Sequence, residues 1–221
     1  MRLFSYLSRL ERIVSLDYYQ RHAPELAARY QLVSPRAVHG DWLTVLEPWL
    51  VAAPRQLLDV GAGSGRDAAF LAGLHPGHTL VAAEPCQALA QLGEAHTRGH
   101  SVTWVNDALP ALSHVTGQFD LILLSAVWMH LPPADRPRAL ARLGALLSPE
   151  GYLVLSLRLV ISEQEARERA MFPVSVEEVV RLAAEEGMVV LHASAPQRDA
   201  MARVELSWQS LILGGKHARL P

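Results

Sequence analysis

A single cysteine, Cys86, stands in the 221 residues, so no internal disulfide framework can form and a reducing compartment is expected. A clustered excess of one charge is also missing: 20 basic residues against 22 acidic ones leave a formal charge of -2. That balance lacks the basic footprint by which proteins grip phosphate backbones, so nucleic acid is not an expected partner. No apolar run reaches the roughly 18 residues of a membrane span. The opening MRLFSYLSRLERIV interrupts its apolar residues with Arg2, Arg9, Glu11 and Arg12, which the core of a signal peptide does not do. Metal chemistry lacks its signature as well. Of ten histidines, His75 and His78 lie in the turn HPGH and His96 and His100 flank a loop; there is no HExxH and no cysteine cluster, so no metal is expected. These absences point to a cytoplasmic protein of one domain, long enough to bury a sizeable core.

What is present changes character near residue 56. Before it, helical spacing dominates: apolar residues at 3, 4, 7, 10, 13 and 14, then helices over Pro24 to Val33 and Ala37 to Leu50, with Pro35, Pro48 and Pro54 as punctuation. The first of these helices is amphipathic and is expected to pack on its own domain. From Gln56 onward, short apolar runs (QLLDV, TLVAAE, VTWVN, FDLILLS, GYLVLSLR) alternate with helical stretches at Arg66 to Leu74, Cys86 to His96 and Ala134 to Leu147. Continuously apolar strands alternating with helices predict a parallel sheet covered on both faces. Ser175 to Glu186 reads as a further helix, MVVLHAS as a strand and VELSWQSLIL as the last strand. The final two strands are joined by about nine residues, too few for a helical crossover, so they should pair antiparallel. The expectation is an α/β three-layer sandwich with N-terminal helices. Its seven-stranded, mostly parallel sheet ends in an antiparallel hairpin. Residues 1–50 would cap the site as part of the same domain, and residues 51–221 would form its core.

The most informative stretch is LLDVGAGSGRD, a buried strand running through a glycine loop into a helix. Glycine lets backbone N–H groups approach a ligand closely, and such loops commonly bind nucleotides. The spacing argues against a dinucleotide: Gly61, Gly63 and Gly65 alternate, and Arg66 stands where G-x-G-x-x-G needs its third glycine. D-x-G-x-G-x-G after the first strand instead resembles motif I of the class I S-adenosylmethionine (SAM)-dependent methyltransferases. Glu84 ends the second strand, about twenty residues beyond the loop, where a carboxylate can accept both hydroxyls of a ribose. Asp107 follows the third strand, and the block from FDLILL to VLSLR is similar to the later motifs of that family, although its turn reads Pro149-Glu150-Gly151.

The resemblance covers residues 56 to 158 most closely and implies SAM as cofactor, with S-adenosylhomocysteine (SAH) as product. It implies cofactor contacts from Asp59, Gly61, Ala62, Gly63, Gly65 and Arg66 of the loop. Further contacts would come from Glu84, Pro85, Asp107, Ala108, Ser125 and Ala126 at the later strand ends. Asp107 would meet the adenine amino group, and the next backbone N–H would read a ring nitrogen.

For the acceptor, absences again narrow the field. The [DNS]-P-P-[YFW] signature of base or glutamine N-methylation is replaced by Ser125-Ala126-Val127-Trp128, and Cys86 lies on the ribose side, away from any role in pyrimidine C5 chemistry. A small molecule is the expected acceptor. An RNA or protein substrate, or a non-catalytic SAM- or SAH-binding module, remain the alternatives, and the protein is expected to be a monomer or homodimer. Tyr18, Tyr19, Tyr30, Trp128, Met129 and Arg158 are candidates for the acceptor pocket. Each has packing, or for Arg158 an ion pair, as its other reading. His130, in SAVWMHLPP, is a candidate general base for an acceptor that must lose a proton; a structural role is its other reading. The charged stretch after the fifth strand reads as a lid or as a solvated helix, and Arg198, Asp199 and Arg203 read as solvent-facing charges.

Overall fold

The computed structural model describes residues 2–201, 203 and 205–221, and for residues 2–13 only the backbone. The side chains of the first amphipathic stretch up to Ile13, and Val204 at the start of the expected last strand, therefore lie outside the described residues.

Two helices come first, α1 (Arg2–Gln31) and α2 (Pro35–Ala52). The sequence predicts a break at Pro24, yet α1 runs through it. A mid-helix proline costs about 3 kcal/mol in isolation. Here Ala23, Leu26 and Ala27 on the same face are buried, and that packing holds the helix together across the lost hydrogen bond. Ser34 caps α2, accepting from the Ala37 N–H, and Pro35 occupies the first turn, where its missing N–H does no harm.

The strands β1 (Gln56–Val60), β2 (Thr79–Ala83), β3 (Val102–Val105), β4 (Phe119–Ser125) and β5 (Leu147–Arg158) are parallel. Between them lie α3 (Arg66–Gly73), α4 (Gln87–His96) and α5 (Arg136–Leu146). After β5 come α6 (Glu163–Glu168), α7 (Val176–Glu185), β6 (Met188–Ala193), β7 (Gln197–Arg198) and β8 (Ser207–Gly215). The sheet order is β3-β2-β1-β4-β5-β8-β6, with β7 pairing β8. The antiparallel hairpin of β6 and β8 is present as expected. The eighth strand is a correction: the connection between them adds the two-residue β7, and β8 inserts between β5 and β6. The fifth strand also starts earlier than GYLVLSLR, because Leu147 pairs with Phe119 ahead of a bulge.

Alternation along the central strands feeds both faces. Leu57, Leu121 and Leu123 pack with Trp42, Leu46, Leu50 and Leu71 under α2 and α3. Leu58, Ile122 and Leu124 face the other way, toward Leu140, Leu143, Val179 and Leu182 of α5 and α7. Each such side chain stabilises the fold by about 1.5–3 kcal/mol on burial. Order reverses between β1 and β4, and open α/β sheets hold their ligands in the crevice beyond the carboxyl ends of the strands at that switch.

Candidate active site

A cavity of about 290 Å³ opens at that switch point, above the carboxyl ends of β1, β2, β4 and β5. Its inner wall is built largely from backbone. The Gly61 and Ala62 N–H groups donate to the Ala83 carbonyl (2.8 and 3.2 Å), which ties the loop after β1 to the end of β2. Glu84 then takes the loop in hand: one carboxylate oxygen accepts from Gly63 N–H and the other from Cys86 N–H, both at 2.8 Å. Burial pushes the Glu84 carboxyl up to about 7, against the downward pull of those two N–H groups.

The loop glycines do different work. Gly63 has φ +56 and open space where a Cβ would stand, so its backbone faces the cavity bare. Gly65, by contrast, does not line the cavity; a Cβ there would sit 3.0 Å from the Gly93 Cα and 3.1 Å from the Trp104 ring. It serves the close approach of α3 to α4, which corrects its expected place beside a ligand.

Three carboxyl groups gather under the loop. Asp59 is 1% exposed, and its Oδ2 has no hydrogen-bond partner. Burial, reinforced by the Asp67 charge, raises its pKa well above the usual carboxylate range. Asp67 behaves oppositely: burial works to raise it, but His39 (3.0 Å) and the Arg66 fork (2.8 and 2.9 Å) outweigh that and hold it ionised. Arg66 lines the cavity, but its guanidinium is committed to Asp67.

At the end of β3, Asp107 lines the cavity while its carboxylate organises the next loop. Oδ2 accepts from His114 and Val115 N–H, and Oδ1 from Ala108 N–H at 2.9 Å, so the Ala108 donor is already turned to its own neighbour. Pro85, Ser125 and Ala126 complete this wall, and Ala126 takes a left-handed φ of 59 as the chain turns sharply out of β4.

The outer wall is built from side chains. Tyr19 and Tyr30 reach it from the second half of α1, together with Met129 and His130 from the 3-10 turn after β4. Arg169 donates to the Tyr19 hydroxyl, which is 3.0 Å from His130 Nε2, while His130 Nδ1 lies 3.2 Å from the Arg169 carbonyl. A carbonyl only accepts, so Nδ1 carries the proton and Nε2 accepts from Tyr19. Burial, with the Arg169 charge beside it, pushes His130 down to about 3; burial likewise raises Tyr19. His130 is thus a neutral imidazole with both nitrogens engaged.

Two expected pocket residues lie elsewhere. Trp128 is fully buried in the core beneath α5, because the turn after β4 sends its indole inward and Met129 outward. Tyr18 stacks on His22 with ring centroids 4.4 Å apart, under Arg169, and does not line the cavity. Arg158 does line it at 1% exposure, but is locked by Glu165 (2.6 Å), the Val160 carbonyl (3.0 Å) and Met171 Sδ (3.6 Å). Glu165 also closes a capping box with Ser162, so the stretch after β5 is an anchored helix.

Sequence reading missed what the last hairpin adds to the cavity. Asp199 is 8% exposed, grips Arg203 at two points and accepts from the Trp208 indole at 2.8 Å; these residues and Met201 line the cavity, and Arg198 lines it while staying exposed, as expected. It also missed Ser156 and Ser210, which continue from the expected Ser125 as a row of serines adjacent across β4, β5 and β8 on the cavity floor. The signal was available in principle: serines two residues before Arg158 and two after Trp208 interrupt otherwise apolar strands.

Chemically, the inner wall offers bare loop backbone, an orphaned buried carboxyl oxygen and a strand-end carboxylate, a set suited to a ligand rich in hydroxyl and amino donors. Among the described residues no cluster of His, Cys, Asp or Glu could hold a metal ion, and no helix is long and apolar enough to cross a membrane.

Comparison with known proteins agrees with this geometry. Residues 57–151 match a family model described as a methyltransferase domain. A demethylmenaquinone methyltransferase from Thermus thermophilus is 30% identical over 138 residues, 59% of this chain, and the match spans about three fifths (61%) of that relative's length. Among solved structures, magnesium protoporphyrin IX methyltransferase from Synechocystis with bound SAM aligns with a TM-score of 0.65 at 16% identity, over 93% of this chain and 97% of the other. A 1,6-didemethyltoxoflavin-N1-methyltransferase from Burkholderia thailandensis aligns with a TM-score of 0.67 at 19% identity, over 91% and 87%. At such identities the structural likenesses establish the fold.

Proposed function

We propose that this chain is a SAM-dependent methyltransferase of the class I type that transfers a methyl group from SAM to a small-molecule acceptor, a reading supported by the match of residues 57–151 to a methyltransferase domain model. The observation that carries the proposal is Glu84, a buried carboxylate at the end of β2 that lines the cavity and already holds the glycine loop through Gly63. The residues present fit SAM. Gly63 leaves room for close approach by a ligand backbone, Glu84 accepts from a ribose diol, and the unpartnered Asp59 oxygen awaits a donor such as an ammonium. Asp107 stands at the end of β3 for the adenine side. SAM supplies a methyl already activated on a sulfonium, so this chain's task is to align a nucleophile with it and to exclude water.

That task falls to the outer wall. Tyr19, held by Arg169 and His130, presents a fixed hydroxyl there. His130 takes a positioning role in this reading: its Nε2 is occupied by Tyr19, and a group held at about 3 is a poor proton acceptor near neutrality. The continuation of the cavity past the loop supports a catalytic role over a binding-only module. Demethylmenaquinone, magnesium protoporphyrin and didemethyltoxoflavin, named for the relatives, are small molecules and support the same class here. Residues 1–50 act as the cap of this site and residues 51–221 as its core. The single free, buried thiol of Cys86 supports a cytoplasmic setting. Radiolabelled methyl transfer from SAM to a panel of phenols, acids and amines tests the proposal; turnover of one or more is expected, and SAM binding with no transfer to any small molecule would turn the reading to a binding module.

A further inference from the structure

Four guanidinium groups line the outer half of the cavity: Arg158, Arg169, Arg198 and Arg203. Three are answered locally. Arg158 and Arg169 share Glu165 at 2.6 and 3.7 Å, and Arg203 forks onto Asp199 at 2.6 and 2.9 Å. Arg198 enters no ion pair and no side-chain hydrogen bond among the described residues, and it is exposed. Strand register fixes where it stands. Gln197 pairs with Trp208 and Trp208 with Arg158, so Arg198 follows just beyond the carboxyl end of β5, at the mouth of the cavity. Three thioethers line the same cavity: Met171, whose Sδ accepts from Arg158; Met129, whose carbonyl accepts from the Phe172 N–H (2.8 Å); and Met201, whose backbone N–H donates to Asp199 (3.0 Å). Thioether side chains adapt to varied apolar shapes. A guanidinium without an ion pair at the mouth of a cavity that three thioethers line suits a ligand with a charged end and an apolar body, because its planar fork matches a carboxylate or phosphate at two points.

We propose that the methyl acceptor is an amphiphilic oxyanion, its apolar or aromatic body resting on Met129, Met171 and Met201 and its carboxylate or phosphate held at the mouth by Arg198. This rests on the methyltransferase reading and names the substrate class of the same site. The full chain, saturated with SAH, is titrated calorimetrically with 6-hydroxy-2-naphthoate, 2-naphthyl phosphate and the uncharged 6-hydroxy-2-naphthamide. At least one oxyanion should bind about fivefold tighter than the amide, with the tighter of the two identifying the headgroup, and added salt should erode the difference. Arg198→Gln should bring oxyanion and amide to within about twofold, while Arg198→Lys keeps part of the preference, the scale expected of an exposed charge. SAH affinity should be the same in both variants. Equal binding of the probes, no binding of the oxyanions to SAH-loaded protein, or a preference that survives Arg198→Gln overturns the proposal. Failure of SAH itself to bind overturns the methyltransferase reading, and this proposal with it.

Discussion

The two halves of the cavity are made of different material. The inner half comes from residues 59–126 in chain order, one strand end after another, and presents backbone N–H groups disciplined by carboxylates such as Glu84 and Asp107. The outer half is drawn from four distant segments, the second half of α1, the turn after β4, the stretch after β5 and the β7–β8 connection, and presents arginines, thioethers, two tyrosines and His130. The inner half is therefore inseparable from the fold, whereas the outer half can change its side chains while the sheet stays as it is.

Substitutions that separate the halves should rank accordingly. Gly63→Val places a branched side chain in the bare cradle and should weaken SAM binding by more than about 100-fold, at a cost in stability of only about 1–3 kcal/mol for the strained φ. Calorimetry with thermal unfolding reads both, and retained binding would break the claim of close backbone approach. Gly65→Ala, two residues on, is the converse: overpacking against Gly93 and Trp104 should cost about 1–3 kcal/mol of stability, and SAM affinity should change far less than in the Gly63 variant.

Glu84→Gln should cost about 1.5–3 kcal/mol of SAM affinity, the range for hydrogen bonds to a charged group. Because Glu84 sits at about 7 in the folded chain against an ordinary 4.5, it takes up its proton on folding between those values. This group therefore adds stability as pH falls from about 7 toward 4.5, while a ligand that needs the carboxylate binds less well there. SAM affinity should fall about tenfold from pH 8 to pH 6 in the natural chain, and Glu84→Gln should flatten that profile. Smallest of all, Tyr19→Phe should lower turnover about tenfold with SAM affinity unchanged, as expected for a residue that positions or polarises the acceptor. With His130 held near 3, no inflection in turnover should arise from an imidazole between pH 5 and 8. Such an inflection, lost in His130→Ala, would restore His130 as a base.

The same division explains what the sequence disclosed. The glycine spacing, Glu84 and Asp107 are local patterns tied to strand ends, and the structure brings Gly61, Gly63, Glu84 and Asp107 to one cavity, with Gly65 turned to the packing of α3 on α4. Periodicity cannot decide which way a turn residue points, which is why Trp128 and Met129, both read as pocket candidates, part company: Met129 lines the cavity and Trp128 fills the core. Nor does it weigh tertiary packing against a proline, so Pro24 was read as a boundary inside α1. The hairpin charges Asp199 and Arg203 read as solvated because their place depends on β8 inserting beside β5, a pairing between residues some fifty positions apart; Arg198, read the same way, is exposed.

The most direct measurement is a calorimetric titration of the full chain with SAH and, separately, with NAD. The inner half as described predicts one SAH site of micromolar affinity and no heat from NAD. Absence of SAH binding, or NAD binding as tightly as SAH, would contradict it.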